Sequence, residues 1–140
     1  MHEAATRCRG VRGATTVDAE TGAVVSATAE LLQGMLDANG LALEDVATAI
    51  FTLDDDLAGE NPAAAARATG WDLVPLLMVR EHGGDARVSR CLRVLLLVNT
   101  TLSPSQIQHV YLRDASVLRP DLAPATNRPG IFPDRMRRQM

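Results

Sequence analysis

The fold is decided by the stretch Cys91-Leu92-Arg93-Val94-Leu95-Leu96-Leu97-Val98, which is apolar except at Arg93. A short apolar run ending at Asn99-Thr100 predicts a strand buried on both faces. A guanidinium keeps its charge, and leaving a buried charge without its partner costs about 3–5 kcal/mol. Arg93 must therefore meet an anion, which is either a carboxylate of the protein, with Glu81 as the best candidate, or a bound ligand.

Further strands are predicted on both sides of this stretch. Each combines β-branched or aliphatic residues with glycine, proline or acidic residues at its ends. These strands cover residues 7–17, 46–53, 71–79 and 110–112. Pro75 lies inside the third of them, which predicts an edge strand or an irregular entry, because proline cannot donate to a sheet ladder.

Two segments have the apolar spacing of helices. The first covers residues 24–36, with a cap expected at Asp18 or Thr21 and a left-handed stop at Asn39-Gly40. The second covers residues 63–69, after the Asn61-Pro62 cap pair, and ends at Gly70.

The order of these elements predicts an α+β domain, a mixed β-sheet with helices on one face. Two helices can cover only one face of the sheet, so a partner subunit is expected to cover the other. The domain is expected to span residues 7–122. Residues 1–6 are predicted to form a flexible N-terminus, and the proline-containing tail 123–140 is predicted to be disordered.

Composition argues against several classes of function. The 140 residues include 14 basic and 17 acidic side chains, one Trp, one Tyr and two Phe, which disfavours nucleic-acid binding. No apolar run approaches the roughly 20 residues that span a bilayer, so no membrane partner is expected. The acidic N-terminus does not resemble a signal peptide, and the two cysteines have neither a disulfide nor a metal-ligand pattern. We therefore expect a cytoplasmic protein.

No motif for nucleophilic, metal or redox chemistry is found, so neither a cofactor nor a metal is expected. What remains is a set of polar residues near strand ends, with one on a helix. Taken singly, each has an ordinary structural explanation, such as an ion pair between Arg119 and Asp121. Taken together, several arginines and a tyrosine suit a small ligand with more than one carboxylate. The set is Arg12, Arg67, Glu81, Arg93, Tyr111 and Arg119.

The motifs around these residues resemble those of the trimeric, mixed α+β class of chorismate mutase. They follow one another in the right order from about the ninth residue to Leu122. The matching pieces are Arg9-Gly10-Val11-Arg12-Gly13-Ala14-Thr15-Thr16-Val17, Gly70-Trp71, Val74-Pro75, Glu81, Cys91-Leu92-Arg93-Val94, Gln106-Ile107, His109-Val110-Tyr111-Leu112 and Val117-Leu118-Arg119-Pro120-Asp121-Leu122.

The resemblance implies a homotrimer that forms a pseudo-barrel, with active sites in the clefts between subunits. It implies the Claisen rearrangement of chorismate to prephenate in aromatic amino acid biosynthesis. This unimolecular step needs no nucleophile, proton shuttle, metal or cofactor. It needs the substrate held in its reactive shape and the charge on the breaking ether oxygen stabilised, which suits the absence of other catalytic motifs.

The resemblance also implies a role for each candidate residue. Arg93 would bind the ether oxygen and a carboxylate, and Glu81 would accept a hydrogen bond from the ring hydroxyl. Arg12 and Tyr111 would hold the enolpyruvyl carboxylate. The other implied substrate-binding positions supply positive charge near the mouth or line the wall: Arg67, Arg119, Ala63, Leu76, Leu77, Met78 and Leu118.

Three positions depart from the family pattern. Met78 stands in place of a cysteine, Asn61 in place of an aromatic ring, and Ala64 in place of a basic residue. These changes predict activity with weaker substrate binding, because a thioether cannot donate a hydrogen bond. The other interpretations are a non-catalytic trimeric binder or regulator of a small dicarboxylate, a paralogue that acts on a related substrate, and a reactive-intermediate deaminase. The motifs disfavour the deaminase, because they are not those of that family.

Overall fold

The sheet and two helices are seen in the computed structural model, which describes residues 4–20, 22–57, 59–83 and 87–121. The predicted tail and residues 1–3 of the predicted flexible N-terminus lie outside the described residues, as does Leu122. The five strands are β1 (Arg7–Thr16), β2 (Val46–Leu53), β3 (Leu76–Arg80), β4 (Cys91–Thr100) and β5 (Val110–Tyr111). The two α-helices are α1 (Ala23–Ala38) and α2 (Pro62–Ala66).

The sheet is mixed, as predicted, and its strand order is β3-β2-β4-β1-β5. The central strand β4 pairs antiparallel with both β1 and β2. The outer strands run parallel to their neighbours, β3 to β2 and β5 to β1. β3 is an edge strand, which confirms the interpretation of Pro75. The stretch from Cys91 to Val98 therefore lies in the central strand of the sheet, to which β1 and β2 both pair.

The prediction that β4 is buried on both faces is wrong for a single chain. Leu92, Val94 and Leu96 are buried against the helices, whereas Leu95 on the other face is 37% exposed. The helices form one layer, and among the described residues nothing covers the second face. A continuous apolar run is thus compatible with a strand that the helices bury on one face only.

The helix α1 packs on β1 at a point where the strand carries no side chain. A Cβ atom added at Gly13 would lie within 3 Å of Met35 Sδ and Cε, and both Met35 and Leu31 are fully buried. The helix can therefore approach the strand only because residue 13 is glycine. The turn after α1 uses Gly40 in the left-handed conformation, as expected.

This close approach predicts a stability difference between two glycine substitutions on β1. Gly13→Ala should lower the free energy of unfolding by about 1 kcal/mol, because the added methyl makes the flexible end of the fully buried Met35 side chain shift. Gly10→Ala is the matched control, since its Cβ would meet Leu95 at an ordinary 3.5 Å. Urea unfolding of both variants tests this, and equal stability of the two would contradict the packing argument.

The second predicted helix and third predicted strand are both shorter than expected. Asn61 caps α2 by accepting a hydrogen bond from the Ala64 backbone N–H at 2.9 Å, as predicted. After Ala66 the chain makes one wider turn, Arg67–Trp71, in which Gly70 has a φ of 105°. Trp71 belongs to this turn and is buried in the core, so the strand begins only at Leu76.

The helix start after β1 differs from the prediction. Gly22 occupies the cap position of α1 and no side chain caps the helix, so the proposed Asp18 cap is wrong, while Thr21 lies outside the described residues. Within the described part of the chain, no helix combines the length and apolarity that crossing a bilayer requires.

Candidate active site

A cleft of about 340 Å³ opens on the sheet face that the helices leave bare. It has the size of a small-molecule site. All four residues that were expected to carry the chemistry line it: Arg12, Glu81, Arg93 and Tyr111. The remaining lining residues are Gly13, Ala14, Ile50, Thr52, Val94 and Leu95.

The strand register explains why these residues meet. Arg93 on β4 lies opposite Thr52 on β2 and opposite Ala14 on β1. Directly paired residues point to the same face, and so do residues two apart on one strand, so Arg12 shares this face. The parallel pairing of β5 with β1 then sets Tyr111 beside Ala14. Side chains far apart in sequence are thereby brought to one patch of the open face.

Arg93 and Glu81 form an ion pair in which the guanidinium keeps its donor capacity. Arg93 Nε lies 2.9 Å from Glu81 Oε1, and each side chain is 28% exposed. The Nε–H does not meet this carboxylate in hydrogen-bond geometry, and Nε is buried without a hydrogen-bond partner. Thr52 Oγ1 approaches the same Glu81 oxygen at 3.5 Å. Glu81 is thus the internal anion that the sequence suggested, and Arg93 still lines the open cleft.

A second carboxyl group near Arg93 was missed by the sequence reasoning. Asp54 follows β2, and its Oδ2 accepts the Cys91 backbone N–H at 3.1 Å while Oδ1 is buried without a partner. Burial has the largest effect on the pKa of Asp54 and raises it. The nearby positive charge of Arg93 acts in the opposite direction. The available signal was the run Asp54-Asp55-Asp56 at the end of a predicted strand.

Cys91 is a buried thiol at the base of this region. Burial raises its pKa to about 11, despite the opposing charge of Arg93. A thiol with such a pKa is not ionised near neutral pH and is a poor nucleophile. In this environment Cys91 is an unreactive residue of the core.

Two of the predicted mouth residues lie near the cleft without lining it. Arg119 makes a two-pronged contact with Asp121, Nη2 to Oδ2 at 3.0 Å and Nε to Oδ1 at 3.2 Å, which is the ordinary structural explanation considered for it. The hydrogen bonds that Arg119 donates to Asp121 raise the pKa of Arg119. Leu118 packs against the small buried cluster that contains Tyr111.

The remaining predicted positions do not reach the cleft in the same chain. Ala63 is buried in the core, and Leu76 packs against the core. Met78 pairs with the core residue Phe51 and therefore points to the helix-covered face, away from Arg93. Leu77, paired with Ile50, points to the open face and is 55% exposed. Arg67 is exposed on the turn after α2.

Known proteins similar to this chain share one description. The family model for chorismate mutase type I matches residues 8–122. A protein named chorismate mutase AroH from Thermus thermophilus is 48% identical over 119 residues, 84% of this chain and 98% of the relative. One of the same name from Bacillus subtilis (strain 168) is 37% identical over 121 residues, 85% of this chain and 95% of the relative.

The fold has a solved counterpart as well. The structure of a chorismate mutase from Clostridium thermocellum matches with a TM-score of 0.73 and 39% sequence identity. The match covers 78% of this chain and 98% of that structure.

Proposed function

The chain belongs to the type I chorismate mutase family, and from that premise we propose that the cleft around Arg93 is where chorismate rearranges to prephenate. The protein is a chorismate mutase, an isomerase of aromatic amino acid biosynthesis. The observation that carries the proposal is the convergence of Arg12, Glu81, Arg93 and Tyr111 on one cleft.

The reaction asks little of the protein beyond binding and electrostatics. The ether C–O bond of the substrate breaks as a C–C bond forms within the same molecule, so no atom, proton or electron passes to the protein. The barrier falls when the flexible substrate is held in its reactive conformer and the oxygen that gains negative charge faces a fixed positive group. A cleft with two arginines, one acid and one phenol matches these needs.

Arg93 is assigned to the ether oxygen and one substrate carboxylate. Arg93 lies on the central strand between β2 and β1, where its side chain lines the cleft beside Glu81. Glu81 is assigned to the ring hydroxyl, with which its free lone pairs can bond. Arg12 and Tyr111 are assigned to the enolpyruvyl carboxylate, because a guanidinium fork and a phenol can donate to both of its oxygens.

We assign the second half of the site to a neighbouring subunit of a homotrimer. The open face carries exposed apolar residues on its strands, notably Leu77, Val79 and Leu95. Such a patch on a soluble domain fits a subunit contact. Met78 points away from its own cleft and Arg67 is exposed on the turn after α2, so in this arrangement they, with Leu77, would serve the cleft of the adjacent copy. The trimer and its pseudo-barrel, together with a cytoplasmic location and the absence of nucleic-acid partners, remain predictions.

Conversion of chorismate by the purified full-length chain tests the function. We expect chorismate to be consumed in the presence of EDTA and without added cofactor, with prephenate separated from it by chromatography, because the two are isomers of equal mass. Boiled protein and Arg93→Gln are the controls. Binding of chorismate without any prephenate would instead favour the non-catalytic binder.

A further inference from the structure

A second cleft, called here the edge cleft, lies beside the first half of β1. β5 pairs only with Gly13 and Ala14, so the earlier part of β1 is flanked by the segment 104–109 instead of a strand. The edge cleft has a volume of about 290 Å³. Its lining residues are Arg9, Gly10, Arg12, Leu95, Pro104, Ile107 and His109, and none of them is acidic.

Hydrogen bonds to the backbone fix the donors of the edge cleft. Arg9 Nε donates to the Leu102 carbonyl oxygen at 3.1 Å, which anchors the side chain and leaves its terminal amino groups available. The Arg12 backbone N–H donates to His109 Nδ1 at 2.9 Å. A neutral imidazole carries one N–H, so an acceptor at Nδ1 makes Nε2 the donor. Burial, aided by the charges of Arg12 and Arg119, lowers the pKa of His109 and favours this neutral form.

Among the described residues, no acidic side chain is a counter-ion for the two arginines of the edge cleft, Arg9 and Arg12. The arginines that do have an acidic partner within 4 Å include Arg80, Arg93, Arg113 and Arg119. Arg9 and Arg12 are three residues apart on β1 and leave the strand on opposite faces, yet both line this cleft at the edge of the sheet, together with His109.

We propose that the edge cleft binds a small oxyanion, for which inorganic phosphate is the probe. Guanidinium groups bind phosphate and carboxylate oxygens through paired, charge-assisted hydrogen bonds, and the His109 Nε2–H adds a further donor. Arg12 lines both this cleft and the catalytic cleft. An anion bound in the edge cleft therefore partly neutralises the positive charge of Arg12 and weakens the binding of chorismate in the catalytic cleft. This consequence rests on the proposed function.

Calorimetric titration of the full-length protein with inorganic phosphate tests the site directly. Ionic strength is held constant with chloride, because exposed charges are screened by salt. We expect Arg9→Gln to weaken phosphate binding by at least about 10-fold, since charge-assisted hydrogen bonds are lost. Arg7→Gln, which removes the same charge two residues earlier and outside the cleft, should bind phosphate within about twofold of the wild type.

Two outcomes of this titration would overturn the proposal. The first is no phosphate binding by the wild type; if native mass spectrometry then shows a smaller oligomer for Arg9→Gln, Arg9 is assigned to a carboxylate of a second copy. The second is equal binding by Arg9→Gln, which would locate the anion elsewhere, including the catalytic cleft. The titration does not depend on turnover, so it separates failure of this site from failure of the proposed function.

Kinetics test the coupling between the two clefts. Phosphate should raise the KM for chorismate in the wild type and in Arg7→Gln, with kcat unchanged. The same phosphate concentration should leave the KM of Arg9→Gln nearly unaffected. Phosphate that binds with no change in KM would disprove the coupling through Arg12, and an unchanged response in Arg9→Gln would overturn the assignment of the inhibitory site.

Discussion

Arg93→Lys is expected to lower kcat by about 10²- to 10³-fold, the range found when one preorganised donor to a developing oxyanion is removed. Lysine keeps the positive charge and can still pair with Glu81. It loses the planar fork, so it cannot meet the ether oxygen and a substrate carboxylate in the geometry that Arg93 provides. The loss should therefore fall mainly on kcat, with a smaller change in KM, because the ether contact strengthens only as the bond breaks.

The control for this variant is Arg80→Lys. Arg80 also pairs with an acid through Nε, at 2.8 Å from Asp55 Oδ1, but on an exposed surface away from the Arg93 cleft. Its kcat should stay within about twofold of the wild type, since exposed pairs contribute little. Circular dichroism and urea unfolding establish that both variants fold. A folded Arg93→Lys enzyme with near-normal kcat would refute the role assigned to the guanidinium.

Local patterns in the sequence were sufficient to predict most elements of the sheet. The limits of β2 were predicted at both ends, because acidic residues and a short turn bound an alternating apolar run. The Asn61 cap and the Gly40 stop were likewise predicted, since both depend on chemistry within a few residues. The predictions failed where a distant contact decides the outcome. Trp71 resembles the start of a strand, yet it is an anchor buried beneath the sheet.

The site was harder to predict than the fold. Arg12 and Tyr111 meet only because β5 returns parallel to β1, a pairing that no local pattern specifies. The resemblance to a known family supplied this grouping. Strand alternation also separates neighbours that the resemblance grouped together, because Leu77 points to the open face while Met78 points to the helices. Asp54 was not selected from the sequence, because burial is what distinguishes it, and the run of three aspartates does not show which of them is buried.

The substitution with the largest expected effect on the oligomeric state places a charge on the open face of the sheet, outside the cleft. Leu97 lies on this face of β4, opposite Gly10 and Thr48, and does not line the cleft. Leu97→Asp would place a carboxylate in the proposed subunit contact, where an unpaired buried charge is strongly unfavourable. Native mass spectrometry should show the wild type at about 45 kDa, three times the 15.0 kDa chain, and the variant as single chains.

Loss of the trimer should also remove activity, because each cleft would lose the residues that the adjacent copy supplies. We expect kcat/KM of folded Leu97→Asp to fall by at least about 10²-fold, as misplaced or missing positioning groups commonly cause. Val25→Asp is the matched control, because Val25 is 49% exposed on the helix α1 and away from the open sheet face. It should remain trimeric and active. A single-chain Leu97→Asp protein with wild-type activity would mean that the four residues lining the cleft form a complete site, and the contribution of a second subunit would have to be abandoned.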